Sequence, residues 1–255
     1  MARTGDDLSS HDDYGPDYYR SVEGLDEIRR FNSHWWSARF YAGLASRVLR
    51  SISGRRVLEV GCAHGYILAR LESRYESFGI DLSPYAIERA KQNAPGSRIW
   101  CGDFMTDLPP DIRDTQFDLI LAKYVLEHLD DPGAALLRMH DLLRPGGSIL
   151  YSVPNMISPG VRMKGDDWFA FLDPTHVSML QPQEWRDLTQ TTGFNLTRAF
   201  SDGLWDVPYV SWAPTFLQRL IFSLPTFISV ALMMPLVPAR WGENLIVIAH
   251  KPADR

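Results

Sequence analysis

Val57-Leu58-Glu59-Val60-Gly61-Cys62-Ala63-His64-Gly65-Tyr66-Ile67-Leu68 passes from a short apolar strand through a glycine turn straight into a helical pattern. Glycine lets the backbone turn sharply and approach a ligand closely. The helix that follows presents unpaired N–H groups at its start. One acidic residue, Glu59, sits near the end of the strand, and a second, Asp81, ends the next apolar run. That spacing, about twenty residues, sets a carboxylate where a pair of ribose hydroxyls can donate to it. The pattern predicts a nucleotide-like ligand lying across the carboxyl ends of a parallel sheet.

Outward from this loop, apolar runs alternate with amphipathic ones. Strands are predicted at Arg56–Val60, Ser77–Asp81, Arg98–Cys101, Phe117–Ala122 and Ser148–Val153. Helices are predicted between them at Tyr66–Arg74, Pro84–Asn93 and Gly133–Leu143. Repeated βαβ units of this kind build a parallel sheet. Ser83 is placed to cap the helix that Pro84 opens. Pro145-Gly146-Gly147 reads as a turn feeding the next strand. Gln183–Thr192 reads as a further helix, and Phe194–Phe200 and Asn244–His250 as strands. Before the first strand, Ile28, Phe31, Trp35, Trp36, Phe40, Leu44, Val48 and Leu49 recur at helical spacing and predict one or two helices. Met1 to about Arg20 is polar and acidic and is expected to be mobile.

The bulk composition narrows the function classes. The chain has 255 residues, 45% hydrophobic, with a net charge of −5. Its acidic balance argues against a surface that tracks nucleic-acid phosphates. Cys62 and Cys101 form no CxxC pair, and the histidines show no metal spacing, so no metal is expected. Few cysteines and an N-terminus carrying Asp6, Asp7, Asp12 and Asp13 favour a cytoplasmic protein over a secreted one.

The motif set resembles the class I S-adenosylmethionine-dependent methyltransferases of the small-molecule type. Glu59 to Gly65 matches that family's E/D-x-G-x-G-x-G loop at all but one position, Ala63 standing where glycine is usual. Gly79-Ile80-Asp81-Leu82-Ser83 matches its second strand end, and Cys101-Gly102-Asp103-Phe104 its adenine turn. Phe117-Asp118-Leu119-Ile120, Val125-Leu126-Glu127-His128-Leu129 and Leu142-Leu143-Arg144-Pro145-Gly146-Gly147 match its fourth strand, the loop after it and the turn before its fifth. The resemblance covers Ser53 to Pro154 closely and Thr175 to Phe194 more loosely.

The resemblance implies an α/β fold, a Rossmann-like seven-stranded, mostly parallel sheet with helices on both faces. Asn244–His250 would be its seventh strand, inserted beside the fifth and sixth. The implied organisation is an N-terminal segment over 1–22, helices or a lid over 23–52, the cofactor domain over 53–203, an apolar insert over 204–240, and a last strand and tail over 241–255. It implies S-adenosyl-L-methionine as cofactor. Gly61, Cys62, Ala63 and Gly65 would line its methionine and ribose side, with Glu59 ordering the loop. Asp81 would accept the ribose hydroxyls and Leu82 pack on adenine. Asp103 would accept from the adenine amino group and Phe104 border the ring. Lys123 and Tyr124 would meet the amino-acid end.

A nicotinamide-binding domain is the main rival, but it wants G-x-G-x-x-G where residues 61–66 read Gly-Cys-Ala-His-Gly-Tyr. No Gly-Lys-Ser/Thr follows, so a P-loop is excluded. A base is needed only for a hydroxyl acceptor, and His128 and His176 are the candidates. Glu127 reads as a helix start or cap, and His64 as structural or solvent-facing. Tyr18 and Tyr19, with polar neighbours, are better lid candidates than Trp35, Trp36 and Phe40.

Leu220–Pro238 contains no charged residue. Its length approaches a membrane span, but Pro225, Pro235 and Pro238 oppose a straight helix. A cap or interfacial segment is expected first, buried core helices second and a span last. With the acidic surface, this run favours a small-molecule or lipid-linked acceptor, a saccharide hydroxyl among them, and peripheral contact with the inner membrane face through 220–238. Oligomeric state stays open. A non-catalytic, membrane-associated cofactor-binding protein and an NAD-dependent oxidoreductase remain as alternatives.

Overall fold

The structure is a computed structural model, and it describes residues 14–21 and 32–253. In chain order the elements are α1 (Pro16–Ser21), α2 (Ser33–Ser51), β1 (Arg56–Val60), α3 (Leu68–Leu71), β2 (Glu76–Asp81), α4 (Pro84–Asn93), β3 (Arg98–Cys101), α5 (Pro110–Arg113), β4 (Phe117–Lys123), α6 (Pro132–Leu142), β5 (Leu143–Pro154), α7 (Pro159–Lys164), α8 (Phe169–Leu172), α9 (Pro182–Thr191), β6 (Asn195–Ser201), α10 (Thr215–Ala231), β7 (Val237–Pro238) and β8 (Asn244–His250).

The strands form one sheet in the order β3-β2-β1-β4-β5-β8-β6-β7. The first five pair parallel. β8 inserts antiparallel between β5 and β6, the place expected for Asn244–His250. The sheet has eight strands rather than seven, because Val237–Pro238 adds a two-residue edge on β6. The sequence order reverses between β1 and β4. A crevice therefore opens at their carboxyl ends, where ligands of such sheets bind.

Why these residues make these elements is plain in the centre. β1 is buried along four consecutive positions, as a strand covered on both faces must be. Along β4 the pleat sends Leu119 and Leu121 to one face and Ile120 and Ala122 to the other. The first pair packs with Phe40, Leu44 and Leu49 of α2, the second with Leu136 and Met139 of α6. Ser83 caps α4 as expected, accepting from Ala86 N–H at 3.2 Å. Asn32 caps α2 by accepting from Trp35 N–H at 2.9 Å.

Several boundaries differ from the sequence expectation. The helix after the glycine loop keeps only Leu68–Leu71, since the chain closes into a tight turn to enter β2, with Arg74 and Tyr75 both donating to Leu71 O. Pro145-Gly146-Gly147 lies inside β5 and not before it, with a pairing irregularity opposite Phe117 and Leu119 absorbing the bend. The expectation of a mobile segment to about Arg20 does not hold over its last residues. Pro16–Ser21 is helical, and Tyr19 is held against Tyr85 and His64. Met1–Asp13 of that segment, and Ile28 and Phe31 of the first helical pattern, lie outside the described residues. α10 runs through Pro225 without a break. Among the described residues no helix is long and apolar enough to cross a membrane.

Candidate active site

The crevice is a deep pocket at the carboxyl ends of β1, β2 and β4. Its floor is the loop from Val60 to His64. Backbone geometry makes this loop. Gly61 holds φ +66°, and a Cβ there would meet Val125 Cγ2 at 2.4 Å. Gly65 holds φ +72°, and its Cβ would press on the α4 backbone at Ala90, 3.0 Å away. Gly65 thus shapes the loop without lining the pocket. Ala63 adopts φ +44°, the left-handed conformation that glycine would take more cheaply.

Asp81 ends β2 against this loop. Its carboxylate accepts from Ala63 N–H at 2.8 Å and Ser83 N–H at 2.9 Å, and from the Tyr19 hydroxyl at 3.4 Å. Burial raises its pKa, while those three donors pull it back. The carboxylate is thus fixed in place, lines the pocket and already takes a hydroxyl donor, which is what a ribose would offer. Leu82, Asp103, Phe104 and Met105 line the adjoining wall. Both carboxylate oxygens of Asp103 are turned into its own loop, toward Met105 N–H at 2.7 Å and the Thr106 hydroxyl at 2.8 Å. Any bond from an adenine amino group to Asp103 would be an additional one. Cys62, Lys123 and Tyr124 also line the pocket, as expected. Glu59 does not. It is buried beneath the loop, accepts from the Leu68 backbone, and is pushed up to about 8 chiefly by burial.

The far wall carries the proton chemistry. Asp173 accepts from the Thr175 hydroxyl at 2.6 Å and from Thr175 N–H at 2.9 Å. Since that hydroxyl's proton goes to Asp173, its oxygen is left to accept from His128 Nδ1–H, 2.9 Å away. The tautomer follows from the network: Nδ1 carries the proton and Nε2 keeps the lone pair. Tyr18 donates to the other oxygen of Asp173 at 3.2 Å. Burial, with His176 adding to it, lowers the His128 pKa to about 4, so the ring is neutral at ordinary pH. His128 lines the pocket. His176 stands behind it, ring centroids 4.7 Å apart, with Nδ1 donating to Ala170 O at 2.7 Å.

The fold also alters three sequence readings. His64 is fully buried among Tyr19, Tyr66 and Tyr85, so the solvent-facing option is excluded and the structural one stands. Histidines without metal spacing in the sequence come together in space: Glu127, His128 and His176 offer ligand atoms within 4.8 Å of one another. Tyr14, Tyr18 and Tyr19 line the pocket, while Trp35 and Trp36 stay off its wall. The sequence reading also missed His34, Ser37 and Ala38 of α2, which wall the pocket near Lys123. Their signal was present, since they recur at i, i+3 and i+4, but Ala38 also belongs to the core cluster of Phe40 and Leu44.

Comparisons with known proteins fit this geometry. A family model described as a methyltransferase domain matches residues 32–199. A Mycolicibacterium smegmatis protein named as a probable S-adenosylmethionine-dependent methyltransferase is 30% identical over 182 residues, covering 69% of this chain and 64% of that protein. A ubiquinone biosynthesis O-methyltransferase of Alkalilimnicola ehrlichii is 25% identical over 181 residues, covering 64% of this chain and 71% of that protein. The chain thus spans about two thirds of the length of these relatives. Among solved structures, the N-methyltransferase NodS of Bradyrhizobium japonicum, in complex with S-adenosyl-L-homocysteine, superposes with a TM-score of 0.59 at 18% identity, covering 92% of this chain and 99% of that one.

Proposed function

Because the chain belongs to the class I S-adenosylmethionine-dependent methyltransferase family and S-adenosylmethionine is its cofactor, we propose that it methylates a hydroxyl oxygen of a small or lipid-linked acceptor. The observation that carries this reading is the chain of hydrogen bonds from Asp173 through Thr175 to His128. It leaves an unprotonated Nε2 on a ring that lines the cofactor pocket. A neutral amine can take the methyl group first and lose its proton afterwards, whereas a hydroxyl is a poor nucleophile until its proton is drawn off. The ubiquinone biosynthesis O-methyltransferases among the relatives support oxygen as the acceptor atom. With the cofactor assigned, the oxidoreductase alternative falls away.

When bound, S-adenosylmethionine supplies a methyl group already made electrophilic by its sulfonium. The protein's task is then to align, to exclude water and to move one proton. Asp81 would hold the ribose, Leu82 and Phe104 would border the adenine, and Lys123 and Tyr124 would close the amino-acid end. His128 takes the acceptor's hydroxyl proton at Nε2. Thr175 and Asp173 hold the ring in the tautomer that can do so. Tyr14, Tyr18 and Tyr19 line the pocket from α1 and the turn before it.

A second reading rests on the Glu127, His128 and His176 trio, whose donor set suits a divalent transition-metal ion. The test is methyl transfer to a panel of phenolic, saccharide and amine acceptors, by wild type and His128→Ala, with and without a chelator. Hydroxyl acceptors that react without metal and fail in the variant support His128 as base. Turnover abolished by chelation favours the metal. Amine acceptors unaffected by the substitution contradict oxygen methylation.

A further inference from the structure

The buried side of helix α10 mixes apolar residues, Val230 in the core and Phe222 against Tyr209, with polar ones that each have a backbone partner. Gln218 is 2% exposed, accepting from Tyr209 N–H at 2.7 Å and donating to Val210 O and Ala213 O, both at 2.7 Å. Ser229 is fully buried and donates to Met234 O, while Thr226 donates to Leu204 O at 3.1 Å. The outward side carries apolar residues. Trp212, just before the helix, is 85% exposed, Phe216 74% and Leu220 61%, and Ile221, Leu224 and Phe227 continue the stripe. A helix side facing water is polar. One whose outer side is apolar and continuous marks contact with another apolar phase.

Charge identifies that phase. Arg219 and Arg240 are the only charged residues between Asp206 and Glu243, and Glu243 is fully buried. At the helix's C-terminal end Arg47 and Arg198 reach the backbone of Leu232 and Pro235, each at 3.4 Å. In a chain of net charge −5, the charges carried by this segment, and those reaching its backbone at the helix's C-terminal end, are arginines. Aromatic and aliphatic residues beside cations are the composition of a segment lying in an anionic lipid interface.

We propose that this face docks on the surface of an anionic bilayer, with α10 lying in the plane of the interface. The exposed apolar stripe with its arginine neighbours, which the apolar run in the sequence does not reveal, carries the inference. Docking also has a consequence for the acceptor. Phe227 packs on Trp36 of α2, ring centroids 5.6 Å apart, and the adjacent His34, Ser37 and Ala38 wall the pocket. The docked face and the pocket thus share α2, Trp36 on one of its sides and His34, Ser37 and Ala38 on another, which would hold the protein at the surface that carries a lipid-linked acceptor. This deepens the methyl-transfer reading and rests on it for the identity of the acceptor.

The experiment is co-sedimentation of the full chain with phosphatidylcholine vesicles, with and without phosphatidylglycerol. Wild type is compared with the triple variant Trp212→Ser, Phe216→Ser, Leu220→Gln, whose side chains are chosen for their exposure. Binding of S-adenosylhomocysteine is measured on both, and size-exclusion mass is recorded. The expected result is binding to the phosphatidylglycerol vesicles that salt weakens and the triple variant lowers at least tenfold, with homocysteine-ligand affinity unchanged. No binding by wild type to either vesicle overturns the proposal. So does equal binding by the variant, indifference to phosphatidylglycerol, or a dimer that the variant dissolves. Vesicle binding without S-adenosylhomocysteine binding would instead overturn the functional reading and leave the docking surface standing.

Discussion

The loop at Gly61–Gly65 and the helix α10 solve opposite problems. The loop is short, and its residue identities are dictated by backbone geometry: Gly61 has no room for a side chain, and Asp81 is fixed by two N–H donors. Tolerance there is small because every atom faces a ligand or a neighbour. α10 is long, and its outer residues touch little of the protein, so only their polarity is constrained. A site that holds a defined molecule is specified atom by atom, whereas a surface that meets a disordered phase is specified by composition. Substitutions should therefore act steeply at the first and cumulatively at the second.

The largest effect is expected at the proton-transfer wall. His128→Ala should lower kcat for a hydroxyl acceptor by roughly 100-fold or more, the scale of a general base. Its affinity for S-adenosylhomocysteine should stay unchanged, measured by titration beside steady-state kinetics. Equal losses in both would make His128 part of the cofactor site instead. The pH profile sharpens the same point. With the His128 pKa lowered to about 4, the basic form persists from alkaline pH down to about that value. The kcat should hold level through the neutral range and fall only in strong acid, and a limb near the ordinary histidine value would contradict the burial argument.

Asp81→Ala should weaken S-adenosylhomocysteine at least tenfold, since hydrogen bonds to a charged group contribute ~1.5–3 kcal/mol each. Thr175→Val removes the partner of His128 Nδ1–H. It should reduce kcat roughly five- to tenfold, about 1 kcal/mol, with KM and cofactor affinity little changed. A loss confined to KM would show that Thr175 touches the acceptor rather than orienting the base.

Stability should report on Glu59. Its folded pKa is pushed up to about 8 by burial, partly offset by Lys123 and aided by Asp81. The folded state then binds more protons than the unfolded chain between the ordinary glutamate value and that one. Stability from this group is complete below the unfolded pKa and is lost as pH rises through the folded one. Glu59→Gln should therefore gain in Tm relative to wild type as pH rises through this window, followed by thermal unfolding. A constant difference would contradict the shift. The smallest effect is expected at Ala63→Gly. Relief of the left-handed alanine, offset by glycine's greater freedom when unfolded, leaves a gain of up to about 1 kcal/mol. Denaturant unfolding would measure it.

How much the sequence revealed follows the same division. β1 to β5, the capped helix at Pro84 and the carboxylate at Asp81 were legible because glycine turns, caps and buried strands are local signals. The antiparallel insertion of Asn244–His250 was legible through the resemblance. The Asp173–Thr175–His128 chain was not, since it joins residues 47 apart in sequence and only the fold brings them together. His34 and Ser37 were hidden because their helix also carries a strong core face. The apolar run Leu220–Pro238 announced itself, but which side each residue faced did not. A string without charges reads the same whether its serines and threonine point in or out.

The central claim is that one pocket divides its work between a carboxylate that holds the cofactor and a histidine that moves the proton. Its most direct test is calorimetric titration of S-adenosylhomocysteine into wild type, Asp81→Ala and His128→Ala. The account predicts tight binding by wild type and by His128→Ala, and at least tenfold weaker binding by Asp81→Ala. Wild-type affinity in Asp81→Ala would contradict it.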